Sequence, residues 1–147
     1  MSVQVEVLSK VTDETVEAFG RLLPQLSRSA APLDHDGLAR IVEAPASTVL
    51  IARSDGVITG TLTLVMFPIP TGLRAWIEDV VVDQDAGRQG IGSALTLEAV
   101  RIAREAGART VDLSSRPSRV AAGRLYEKLG FQARETRMYR YPLDDKD

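Results

Sequence analysis

The stretch VVVDQDAGRQGIGSAL (Val80–Leu95) sets a β-branched run against three glycines and then an apolar segment. The valines favour a strand, and Gly87, Gly90 and Gly92 end it. Ile91, Leu95, Ala99, Ile102 and Ala106 then recur at helical spacing, so a helix follows the loop at once. A helix leaving a strand in this way returns the chain to a parallel neighbour. Its N-terminus leaves backbone N–H groups unpartnered and carries roughly half a positive charge. Glycines there let a phosphate reach the backbone with no Cβ in the way. Two commoner phosphate loops do not fit. GIGSA lacks the lysine of a P-loop, and Leu95 stands where a dinucleotide fingerprint needs a small residue. A tight turn whose glycines serve packing alone is the competing reading.

Outward from this loop, the pattern predicts β-α-α-β-β-β-α-β-α-β-β. VQVEVLS alternates like a half-buried strand. Thr12 or Asp13 starts a helix with Val16, Phe19, Leu22, Leu23 and Leu26 inward, which Pro24 should bend or end early. DHDGLARIVEA is a second helix, and Asp34 and Asp36 are more suited to capping it than to attracting a cationic amine. STVLIARSDGVITGTLTLVMF reads as a hairpin turning at Ser-Asp-Gly, and RAWIEDVVVD as the next strand. Glu98, Arg101, Arg104 and Glu105 form the wet face of the central helix, and Gly107 stops it. RTVDLSS is a strand, SRVAAGRLYEKLG a helix, and FQARE and RMYRYPL are expected to close the chain as strands. The expected architecture is an α/β (α+β) fold: a mixed, mostly antiparallel twisted sheet of about six or seven strands flanked by four helices. It is expected as one domain, residues 1–143, with 144–147 a polar tail.

Composition narrows the chemistry. The 147 residues contain no cysteine and a single histidine, His35. Disulfides, thiolate zinc sites and a cysteine nucleophile are excluded, and no metal site is expected. A net charge of −2 gives no general pull toward nucleic acid. No apolar run is long enough to cross a bilayer and MSVQVEVLSK has no signal-peptide h-region, so a cytoplasmic location is expected.

A second anchor is AAGRLYEKLGF (Ala121–Phe131), where Tyr126 and Phe131 either pack in the core or serve a site. IEDVVVD, GRQGIGSAL and RLYEKLGF, in that order, resemble the GNAT superfamily of acyl-CoA-dependent N-acyltransferases over essentially the whole chain. The family's loop pattern is Arg/Gln-x-x-Gly-x-Gly/Ala, and Gly90 and Gly92 supply its glycines. Its first position falls on Gly87, and Arg88 stands one place later. Gly87→Arg should then tighten acetyl-CoA binding, unless Gly87 is needed for its backbone conformation. Where the family often has asparagine before the tyrosine, this chain has Arg119, and Arg116 and Arg119 are positioned to restore positive charge.

The resemblance implies an acyltransferase moving an acetyl group directly from acetyl-CoA to a primary amine of a small molecule or peptide, through a tetrahedral intermediate. The alternative is a non-catalytic acyl-CoA-binding or regulatory module. It implies parallel strands four and five splayed apart, with the backbone of Val80, Val81 and Val82 pairing with the pantetheine arm. It places the pyrophosphate on the loop Gly87, Arg88, Gln89, Gly90, Ile91, Gly92 and Ser93, with Arg119 beside it. Tyr126 would be the acid that protonates the leaving thiolate. Glu78, followed by Asp79, is the candidate base, since an alkyl ammonium near pKa 10 must lose a proton before attack. The competing role for either is a solvated strand end or an ion pair with Arg74. Trp76 either lines the acceptor cleft or packs in the core. Terminal strands in the family pair across dimers, so a homodimer is admitted.

Overall fold

The computed structural model describes residues 2–87 and 89–144, and the chain divides into two compact units that meet in sequence at Leu113 and Ser114. Arg88 and residues 145–147 of the expected tail lie outside the described residues.

The first unit runs β1 (Val3–Val7), α1 (Asp13–Leu26), α2 (His35–Glu43), β2 (Ser47–Ser54), β3 (Val57–Ile69), β4 (Gly72–Val82), α3 (Ile91–Glu105) and β5 (Val111–Asp112). The sheet order is β1-β2-β3-β4-β5. Its first four strands are antiparallel neighbours, and β5 joins β4 in parallel. The β2–β3 hairpin turns through Asp55 (φ 52°) and Gly56 (φ 81°), the positive angles that suit the twist of a two-residue hairpin.

Thr12 caps α1 reciprocally with Thr15, each backbone N–H donating to the other's hydroxyl (2.8 and 3.3 Å). Pro24 does not end α1 early. Its missing N–H costs one bond in the last turn, while buried Phe19 and Leu22 hold the helix on the sheet and Ser27 N–H closes it on the Leu23 carbonyl at 2.9 Å. Asp34 caps α2, accepting from the Gly37 N–H at 2.7 Å. These helices close one core, in which Ala18, Phe19, Leu22 and Leu38 meet Val49, Ile51, Ile58 and Val81.

The other face of the sheet carries α3. Leu50 pairs with Leu62 and Leu64 with Ile77, so these share a side opposite to that of Val49 and Ile51. Ile91, Leu95, Thr96, Ala99 and Ala103 are the buried residues of α3. Ala103 replaces the expected Ala106, which is exposed at the C-cap, and Gly107 (φ 87°) stops the helix as anticipated. Gly60 sets how closely α3 approaches: a Cβ there would lie 2.8 Å from Ile91 Cγ2 and 3.1 Å from Leu95 Cδ1.

The second unit contains α4 (Val120–Lys128), closed by Gly130 at φ 108°. Phe131 follows, its N–H donating to the Tyr126 carbonyl at 2.9 Å. The two closing strands are not formed among the described residues. Alternation in RMYRYPL supplies a face but no partner: among the described residues α4 is the only regular element of this unit, and a strand exists through its ladder. Met138, Tyr139, Tyr141 and Leu143 are exposed in consequence. The described sheet therefore has five strands instead of six or seven, with the four helices expected.

Candidate active site

β4 changes character midway. Thr61 pairs with Val81 and Thr63 with Glu78, so two steps along β3 match three along β4. The extra residue forms a β-bulge at Asp79, whose φ of 51° lies in the left-handed region that aspartate tolerates better than most side chains. The bulge changes which side chains share a face. Glu78 stands in register with Thr63 and Val49, and Val81 with Thr61 and Ile51, so both belong to the α1–α2 side. Three residues apart on an unbroken strand, they would point oppositely.

Pairing with β5 stops where the bulge approaches. The parallel ladder covers Ala75–Val111 and Trp76–Asp112 only. From Ile77 to Val82 the outer edge of β4 has no strand beside it among the described residues. An open edge of this kind can accept an extended chain as an added strand. The side chain of Val81 is buried in the core, so the Val80–Val82 segment has its peptide groups to offer.

The edge leads directly into the glycine loop. Asp83 N–H donates to the Thr59 carbonyl (2.8 Å), and the Asp83 carboxylate caps the short 3-10 turn Gln84–Ala86 by accepting from Asp85 N–H (3.1 Å). Gly87 follows at φ 72° and ψ −161°, a backbone region open essentially to glycine alone. The Gln89 side-chain amide donates back to the Ala86 carbonyl. Gly90 is the N-cap of α3 in the left-handed conformation, φ 74° and ψ 23°, with no side-chain cap and no acid in the first turn. Among the described residues, no side chain caps the amides of Ile91, Gly92 and Ser93, and no atom lies within 4 Å of where a Cβ on Gly87 or Gly90 would stand. Such a cradle suits the diphosphate of an acyl-CoA. Arg88, expected to add charge, falls outside the described residues.

Glu78 is exposed, and its Oε2 accepts from Trp76 Nε1–H at 2.7 Å. The competing ion pair with Arg74 is not made among the described residues. Four residues along an extended strand separate two side chains by about 13 Å, and the Arg74 guanidinium instead donates to the hydroxyls of Thr71 (3.0 Å) and Thr110 (3.4 Å). Trp76 is half-buried, and Asp79 is exposed as the bulge residue itself.

In the second unit, Arg119 is the N-cap of α4 without a side-chain cap bond. Tyr126 lies on that helix, edge-on to Phe131 with ring centroids 5.7 Å apart. Burial raises its phenol pKa above the usual value, and the positive charge of Arg119 pulls the other way.

The sequence pattern of the Acetyltransferase (GNAT) family matches residues 10–131. Glucosamine 6-phosphate N-acetyltransferase of Trypanosoma brucei brucei is 35% identical over 117 residues, covering 74% of this chain and 78% of that one. The ribosomal protein bS18-alanine N-acetyltransferase of Escherichia coli K12 is 38% identical over 72 residues, about half of each chain (49% and 49%). Among solved structures, a Trypanosoma brucei acetyltransferase superposes with a TM-score of 0.77 at 29% identity, covering 96% of this chain and 100% of that one. The chain belongs to the GNAT acetyltransferase family, and it is an acyltransferase of the acyl-CoA-binding fold.

Besides the bulge at Asp79, two features of the site carry no signal in the sequence. Gly60 gave no signal because a glycine within a strand reads as a weak spot. The contacts of Asp83 were hidden because they come from α1, more than fifty positions earlier. No helix among the described residues is long and apolar enough to cross a membrane.

Proposed function

We propose that the chain transfers an acetyl group from acetyl-CoA to a primary amine of a small molecule or peptide. One observation carries the reading: the open, bulged edge of β4 runs without interruption into an uncapped glycine cradle at α3, in a chain of this family. Acetyl-CoA supplies the activated acyl group. The amides of residues 89–93 hold its diphosphate, and the backbone of Val80–Val82 aligns its pantetheine arm. An N–H of this edge polarises the thioester carbonyl as negative charge develops on its oxygen. Glu78, held by Trp76, takes the proton of the incoming amine directly or through one water, with Asp79 the neighbouring carboxylate. Tyr126 keeps a protonated phenol at neutral pH and gives a hydrogen to the departing sulfur. Arg119 adds positive charge for the phosphates.

The amine reading has support in the names of the relatives, one acting on glucosamine 6-phosphate and the other on an alanine of a ribosomal protein. The test is thiol release from acetyl-CoA with a panel of amines that includes glucosamine 6-phosphate and an alanine-initiated peptide. Amine-dependent thiol release with a matching acetylated product is expected. Absence of such release across the panel, from protein that binds acetyl-CoA, overturns the reading.

A further inference from the structure

The approach to the glycine cradle is tied to a helix far away in sequence. Asp83 Oδ2 accepts from Arg21 at 2.8 Å, and Asp83 Oδ1 accepts from Gln25 Nε2 at 3.4 Å as well as from Asp85 N–H. The other end of the Gln25 amide accepts from Gln84 N–H at 3.0 Å, and Arg21 also donates to the Ile58 carbonyl at 3.2 Å. Arg21 and Gln25 are one helical turn apart, so a single stripe of α1 reaches the carboxylate and the amide that follows it. The Asp83 side chain is only 11% exposed, which strengthens charge-assisted bonds to it.

We infer that Arg21, Gln25 and Asp83 form a positioning clamp for acyl-CoA binding, in which α1 fixes where the loop leaves β4 and so where the cradle amides point. Backbone donors grip an anion best when they are already in place, because ordering a loop on binding subtracts from affinity. The bonds concentrate on residues 83–85, immediately before Gly87, where an error in direction passes to every later amide. The inference rests on the reading that the loop holds the diphosphate of the acyl-CoA.

Calorimetric CoA binding, melting temperature, and KM and kcat with acetyl-CoA varied test it on the full chain. Asp83→Asn, Arg21→Gln and Gln25→Ala should each weaken CoA binding about tenfold or less, the worth of one charge-assisted bond. KM for acetyl-CoA should rise with kcat held, and the Arg21→Gln/Asp83→Asn pair should cost less than the sum of its singles. Arg53→Gln is the control. It breaks an ion pair to Glu6 of β1 and one to Glu14 that also tethers α1, away from the loop, and should lower the melting temperature without changing CoA affinity. Folded clamp variants with wild-type CoA affinity overturn the clamp and leave acyl-CoA binding standing. An Arg53→Gln loss equal to theirs at equal stability also overturns it. If the wild-type chain binds no CoA, the reading beneath falls and the clamp with it.

Discussion

The indole of Trp76 donates to the carboxylate of Glu78 at 2.7 Å, across one intervening residue of β4. The bond takes up one lone pair of Oε2 and holds the carboxylate in one orientation, and in the proposed reaction Oε1 is the less engaged oxygen. Glu78→Gln should lower kcat/KM by about 100-fold or more, within the range of general base catalysis. Trp76→Phe, which keeps the ring and removes the donor, should cost less than about tenfold. Trp76→Phe added to Glu78→Gln should cost nothing further, as expected of two residues acting through one group. Steady-state kinetics of the four enzymes check this, and a fully active Glu78→Gln enzyme would remove Glu78 from the reaction.

Tyr126 should matter to turnover and little to binding. Tyr126→Phe is expected to reduce kcat more than about tenfold with CoA affinity unchanged. Its phenol pKa is raised by burial against the pull of Arg119, so the folded chain favours the neutral ring. The associated stability is complete below about pH 10, the unfolded value, and is lost as pH rises through the higher folded value. A pH–rate profile with no alkaline fall before about pH 10 is the matching kinetic result.

Gly87 is set by its backbone. At φ 72° and ψ −161°, a side chain is strained even though open space surrounds it. Gly87→Ala and Gly87→Arg should both weaken acetyl-CoA binding, with about 1–3 kcal/mol of strain to absorb. The charge gained by arginine does not offset a displaced loop. Calorimetric titration decides it: tighter binding by Gly87→Arg would show that the side chain dominates.

Gly60 should be intolerant for a different reason. A Cβ there meets Ile91 and Leu95, both buried, at the first turn of α3. Gly60→Val should destabilise the fold by about 1–3 kcal/mol through overpacking and weaken CoA binding by pushing the cradle outward. Chemical denaturation and CoA titration measure the two effects separately. Wild-type values for both would mean that α3 is free to shift.

Acid should loosen the loop. The Asp83 pKa is lowered by the Asp85 N–H, then by Gln25 and Arg21, with partial burial opposing them. Stability from a depressed carboxyl is present above its unfolded pKa, about 3.9, and is lost as pH falls through the folded value. Loop protection measured by hydrogen exchange should therefore fall below about pH 4, and Asp83→Asn should remove that dependence.

Elements with a strong local signature were legible in the sequence. The glycine loop, the α3 stripe, the Ser-Asp-Gly hairpin and the caps at Thr12 and Asp34 depend on neighbours close along the chain. The bulge at Asp79 was not legible, since VVV reads as a continuous strand and register depends on β3. The Asp83 clamp was hidden for the same reason, its partners lying on α1. RMYRYPL misled in the opposite sense: alternation reports a willingness to pair, and pairing requires an edge.

The extra residue in β4 means that this strand stores chemistry in a count as well as in a spelling. Val80, Val81 and Val82 can be exchanged among β-branched types while the edge continues to offer the same peptide groups. Removing Asp79 would leave every neighbouring letter intact and close the phase slip. With Val81 held in the core, Glu78 would then stand two places from it on an unbroken strand and keep the side of α1 and α2. Deletion is therefore the sharper probe of this strand, because one lost position removes the bulge and restores an even ladder with β3 while Glu78 keeps its face.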